Sequence, residues 1–167
     1  MNVRWTLLLL FLGVTSMSLA QKEIAPPEAD LRLYDIANAP SPERIEADIR
    51  QLVSFGTRNT LSDTLAENRG IGAARRWIKA EFERISEDCG GCLEVFYQRN
   101  LVPAEGNRRI PEDTWVVNVV AVQKGSRYPN RYVIMSGDID SRASSSTDAT
   151  TDAPGANDNA SGIAGAI

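Results

Sequence analysis

The chain has 167 residues, 18 Lys and Arg against 22 Asp and Glu, a formal net charge of −4 and no histidine. This mild acidity, with no basic stripe, argues against a nucleic-acid partner. The missing histidine excludes Ser-His-Asp and Cys-His catalysis within these residues and leaves carboxylates, carbonyls and thiolates to hold any metal. The amino terminus carries Arg4, an apolar run from Leu7 to Val14, and small residues at Ser18 and Ala20. That pattern predicts a secretory signal peptide over 1–20, cleaved after Ala20, and an exported protein, periplasmic or extracellular. The apolar core is too short to span a bilayer and no stop-transfer cluster follows it, so no stable membrane anchor is expected. Residues 21–40 mix Pro, Ala and charge and read as an exposed leader. Residues 41–167 are enough for one hydrophobic core.

Ser41-Pro42 predicts an N-cap followed by proline in the first helical turn. Ile45, Ile49, Leu52 and Val53 continue that helix to about Phe55, and Gly56-Thr57-Arg58-Asn59-Thr60 breaks it. A second helix is expected from about Ala66 to Ile85, with Ile71, Ala74, Ile78, Phe82 and Ile85 as its buried stripe. Gly70-Ile71-Gly72 superficially matches a dinucleotide-binding fingerprint, but no strand precedes it and the third glycine is absent. Arg75, Arg76 and Lys79 read as a solvated face. Cys89-Gly90-Gly91-Cys92 follows this helix. In an oxidising compartment Cys89 and Cys92 are expected to form a local disulfide that pins the turn. Their place at the negative end of the helix dipole argues against a redox-active pair. Strands are expected over Leu93–Tyr97, Thr114–Val122 and Arg131–Ser136, with Gly106-Asn107 as the turn signal of a loop between the first two. A further helix starts after Asp158. The order predicts an α/β domain: amino-terminal helices, then a mixed β-sheet flanked by helices, incomplete at its carboxyl terminus.

The chemistry concentrates in one acidic loop. Ser136-Gly137-Asp138-Ile139-Asp140-Ser141 closes an apolar run, and Pro154-Gly155-Ala156-Asn157-Asp158-Asn159-Ala160-Ser161-Gly162 follows. Five carboxylates fall between Asp138 and Asp158, with Arg142 as their single cation. Such charge at a strand end needs water, hydrogen bonds or a divalent cation to offset it. Residues two apart in an extended chain share a face, so Asp138 and Asp140 are expected to project together. The small residues Ala160, Ser161 and Gly162 would let a helix start close to the strand end and bring Asp158 back toward Asp138. Asp148 and Asp152 read as turn and solvent residues. An EF-hand loop is disfavoured, because position six from Asp138 is Ala143 and position twelve is Ala149. Asn159-Ala160-Ser161 is formally a glycosylation sequon but is expected to cap a buried turn.

In these two motifs, and in Phe55-Gly56-Thr57-Arg58 after the first helix, the chain resembles the M28 metallopeptidases, the co-catalytic zinc aminopeptidases. The resemblance spans roughly Ile45 to Ile167, the amino-terminal half of such a catalytic domain. It implies that Asp158 bridges two zinc ions, that Asp138 stands where the family has a histidine ligand, and that Asp140 is a catalytic carboxylate that orients the site. With carboxylate in place of imidazole, manganese, magnesium or calcium become alternatives to zinc. The implied reaction is hydrolysis of an amino-terminal peptide bond in a peptide or protein substrate. The family's paired glutamates, later Asp ligand and final His ligand have no counterpart before Ile167, so a truncated chain, inactive by itself, is expected. The alternative is a non-catalytic secreted domain of the same fold that binds a partner or a single metal ion.

Overall fold

The computed structural model describes residues 30–167, so the expected signal peptide and the start of the leader lie outside the described residues. The chain divides between Ala39 and Pro40 into two units. In the first, helix α1 (Leu31–Asn38) starts at Asp30, whose carboxylate accepts the Arg32 amide and pairs with its guanidinium. Its apolar side chains, Leu31, Leu33, Tyr34 and Ile36, are all exposed. The expected exposed leader over 21–40 thus contains a helix at Leu31–Asn38.

The second unit opens with α2 (Pro42–Ser54). Ser41 Oγ accepts the Arg44 amide at 3.2 Å, and Pro42 sits in the first turn, as its missing N–H allows. Helix α3 (Gly70–Asp88) starts later than the apolar periodicity alone predicts. Asp63 Oδ1 accepts the amides of Leu65 and Ala66 and holds 63–66 as a turn. Gly70 then takes a left-handed φ of 81°, which only glycine adopts readily. The helix amides are already used: Ile71 donates to Ser62 Oγ and Gly72 to the Asp63 carbonyl. A side chain at Gly72 would land on the Thr64 carbonyl oxygen, so the Gly-x-Gly pair serves close packing rather than phosphate binding.

Cys89 and Cys92 form a disulfide at the end of α3, with Cα atoms 5.6 Å apart. Strands β1 (Leu93–Val102) and β2 (Thr114–Gln123) form an antiparallel hairpin, with Leu93 opposite Gln123 and Val102 opposite Thr114. Helix α3 covers it. Strand β1 runs past its expected end at Tyr97 because pairing continues to the 103–113 loop, and β2 runs past Val122 to Gln123, which pairs with Leu93 at the other end of the hairpin. The α/β class holds, and the sheet among the described residues has two strands.

The expected third strand does not form. Residues 131–136 have no strand pairing, and Tyr132, Val133, Ile134 and Met135 are 71–95% exposed. An apolar run becomes a strand only when another backbone takes its N–H and C=O groups, and no described segment does so.

Leu52, Phe55, Ala73, Ala74, Ile78, Ala160 and Ile163 form the core, joining α2 and α3 to a short helix α4 (Ser161–Ala166). Arg44 ties α2 to α3, pairing with the buried Asp48 at 2.8 Å and with Glu81 at 2.7 Å. Arg75, expected on a solvated face, is buried instead, because α3 turns that flank toward Tyr97 of β1. Among the described residues no helix is long and apolar enough to cross a membrane.

Candidate metal centre

The two acidic motifs form two arms, residues 136–141 and 153–163. Both are organised by the segment that ends α2. Thr57 makes a parallel bridge with Ala153, whose amide donates to the Gly56 carbonyl at 2.9 Å. The Arg58 amide donates to Ser141 Oγ at 2.9 Å, and the Ser141 amide returns a bond to the Arg58 carbonyl at 3.3 Å. The Arg58 guanidinium donates to four carbonyls: Leu52 at 2.9 Å, Ile139 at 3.0 Å, Pro154 at 2.7 Å and Gly155 at 3.0 Å. Asn59 Nδ2 donates to the Ser146 carbonyl at 3.2 Å.

The arms also touch through small residues. A Cβ at Gly137 would lie 2.8 Å from main-chain atoms of Gly162 and Ile163, so no side chain fits there. Gly155 has φ 49°, and a Cβ on it would lie 2.7 Å from that of Ser141. Residues 156–160 make a π-type turn, with Asp158 and Asn159 outside helical geometry and a cis peptide bond between them. Asn159 Oδ1 accepts the Gly162 amide at 3.0 Å, so the sequon asparagine caps α4.

The five carboxylates of the loop have different roles. Asp148 accepts the Thr150 and Thr151 amides, and the Thr151 amide bond above all pushes its pKa down to about 2. Asp152 pairs with Arg69 at 2.6 Å. The expected turn and solvent residues therefore have their own partners. Asp138, Asp140 and Asp158 remain, all exposed. Asp140 accepts a long bond from Thr60 Oγ1 at 3.5 Å. Arg142 is exposed and forms no ion pair among the described residues, so this single cation does not neutralise the loop. The nearest buried cations are Arg58 and Arg75. Burial pushes both guanidinium pKa values down, and the charge of Asp140 opposes that shift in each.

The arrangement brings the two arms that carry Asp138 and Asp158 together at Gly137 against Gly162 and Ile163, and at Gly155 against Ser141. Among the described residues it does not gather three carboxylate or thiolate side chains at one point. Its donors are hard oxygens, which zinc accepts and which manganese, magnesium and calcium prefer, so the residues present fit part of a divalent-cation site. Sequence reasoning missed Arg58 as the connector. The signal available was a charged residue inside the Phe-Gly-Thr-Arg segment, which was otherwise read as a helix stop.

The profile of peptidase family M28 matches residues 118–167, the stretch that contains both arms. A probable zinc metalloprotease of Leptosphaeria maculans is 48% identical over 124 residues, covering 74% of this chain and 28% of that protein. One from Pyrenophora tritici-repentis is 42% identical over 138 residues, 83% of this chain and 31% of the relative. One from Pyricularia oryzae is 41% identical over 138 residues, 83% and 27% respectively. The chain thus spans under a third of the length of these curated relatives. No solved structure matches it. Residues 118–167 thus carry the pattern of peptidase family M28 as a block, within a similarity to probable zinc metalloproteases that extends over most of the chain.

Proposed function

We propose that the protein carrying this chain is an exported zinc-dependent aminopeptidase, with Asp138 and Asp158 as metal ligands and Asp140 as the carboxylate that orients the site. The observation that carries this reading is the joining of the two arms by Gly56, Thr57 and Arg58, which leaves these three carboxylates exposed on neighbouring loops. The names of the relatives support zinc. The aminopeptidase specificity, the pair of ions and the export rest on the resemblance and on the amino-terminal sequence.

In this reading Asp158 and Asp138 would be the residues of this chain that hold the metal, with Asp158 the more important of the two. Asp140, on the same arm as the Ile139 carbonyl that Arg58 holds, would orient its neighbours at the rim of the site. Bound zinc supplies an activated water and polarises the scissile carbonyl. The chain's own residues supply loop geometry and charge. Burial of Ile163 and Ala164 anchors the second arm, so that Asp158 is presented from a packed helix start.

The test is hydrolysis of aminoacyl nitroanilides by the protein carrying this chain. Activity lost to a chelator and restored by zinc is expected, and acetylation of the substrate amine should abolish it. At matched folding, Asp158→Ala should lower kcat by at least about 100-fold, beyond the usual effect of an outer-shell change. Asp138→Ala should cost less, and Asp138→His should stay active with preference moved toward zinc. Equal activity in wild type and Asp158→Ala would sink the metal assignment and put the partner-binding reading in front. Amino-terminal sequencing of exported material should begin at Gln21; a mature chain beginning at Met1 would remove the export claim.

A further inference from the structure

Among the described residues no main-chain hydrogen bond runs directly between the 136–141 and 153–163 arms. Each is tied instead to 56–58. Arg58 alone reaches both: Ile139 and Ser141 on the first arm, Pro154 and Gly155 on the second, and Leu52 on α2. It heads the fully buried side chains by volume, at 1% exposure. Only a planar fork of donors can reach carbonyls on three separate segments at once; a lysine ammonium donates from a single point. Burying a cation is costly, and packing alone would be met more cheaply by an apolar side chain.

We propose that Arg58 is a positioning residue whose guanidinium sets the register of the two acidic arms, and through it the placement of Asp138 relative to Asp158. The consequence for metal binding rests on the function proposed above. The register itself can be read without metal.

The experiment compares the protein carrying this chain, metal-free, as wild type, Arg58→Lys, Ser141→Ala and, as a core control, Ile78→Val. Hydrogen exchange reports local opening. In Arg58→Lys, exchange at the Ser141, Ala153 and Ala160 amides should rise by about tenfold or more while α3 amides hold their wild-type rates. Ile78→Val should loosen α3 and spare the arms. Zinc affinity, measured by competition with a chromogenic chelator, should fall about tenfold in Arg58→Lys, the scale of lost ligand support, and kcat should fall with KM little changed. Ser141→Ala removes only the acceptor of the Arg58 main-chain amide and keeps the four guanidinium bonds, so its Ala153 and Ala160 amides should hold their wild-type rates; if Arg58→Lys does not fold, this variant carries the test, and loosening of both arms in it would move the register to the main-chain bond and overturn the proposal. In Arg58→Lys, unchanged arms overturn the proposal, and so does loosening spread evenly over α2, α3 and the arms. Selective loosening with undiminished zinc affinity, in a protein that binds zinc, also overturns it. Selective loosening in a protein whose wild type binds no zinc supports the register role and sinks the metal-site reading instead.

Discussion

Arg58 and Arg75 are both buried, but their surroundings set opposite expectations for removal. Arg58 satisfies four carbonyls, and Arg58→Met would leave those acceptors unpaired. At the usual penalty for a buried orphan group, the loss should exceed about 3 kcal/mol. Arg75 Nε is buried with no hydrogen-bond partner among the described residues. Replacing such a charge by an apolar side chain of similar volume is often neutral or stabilising, so Arg75→Met should change stability by less than about 1 kcal/mol. Urea denaturation of the two variants decides the comparison, and a larger loss from Arg75→Met would refute it. Asp148 offers a separate pH test. Its carboxyl is held down to about 2 from an ordinary 3.8 by the amides of Thr151 and Thr150. A depressed pKa means that the turn it closes is favoured above about pH 4 and is lost as pH falls toward 2. A carboxyl NMR titration of Asp148 with an ordinary midpoint would contradict this, and Asp148→Asn should remove the acid sensitivity of the 148–151 turn.

At the scale of elements, what was legible in the sequence was what depends on neighbours in the chain. The Ser41-Pro42 start of α2 follows from local capping and was readable directly. The start of α3 was not, because the Ile71–Ile85 periodicity carries no information about the Asp63 turn that delays it. The 131–136 run was readable as apolar but not as unpaired, since a strand is defined by a partner that composition does not name. The glycines of the helices separate packing from propensity. Gly72→Ala drives a methyl into the Thr64 carbonyl and should cost about 1–3 kcal/mol. Gly165 in α4 has open space around its Cβ position, so Gly165→Ala should gain up to about 1 kcal/mol from helix propensity. Thermal melts of both should move in opposite directions; a shared direction would refute the packing account. Thiol alkylation without reductant should leave Cys89 and Cys92 unlabelled, and full labelling would show that the pair is free.

Across the whole molecule, the acidic arms were legible because each is a contiguous motif, whereas their connector was not: Arg58 meets Ile139 and Gly155 across 81 and 97 residues of chain. The same distinction governs an exposed apolar run among the described residues. Tyr132 to Met135 form a contiguous run, with Val133 95% and Ile134 84% exposed. Such a run carries unpaired backbone groups as well as apolar side chains, which is the pattern that invites edge-to-edge association. The 167-residue chain by itself should therefore self-associate as its concentration rises and should bind a dye that reports apolar surface. Placing charge in the run counters both the apolar attraction and the close approach of a second copy. Val133→Lys should reduce light scattering and dye binding together, while Leu33→Lys in α1 should leave the scattering largely unchanged if the 132–135 run is the contact. Sedimentation across a concentration series reads the outcome. A chain that stays monomeric, or one whose association is relieved by Leu33→Lys and not by Val133→Lys, would show that this run does not drive association.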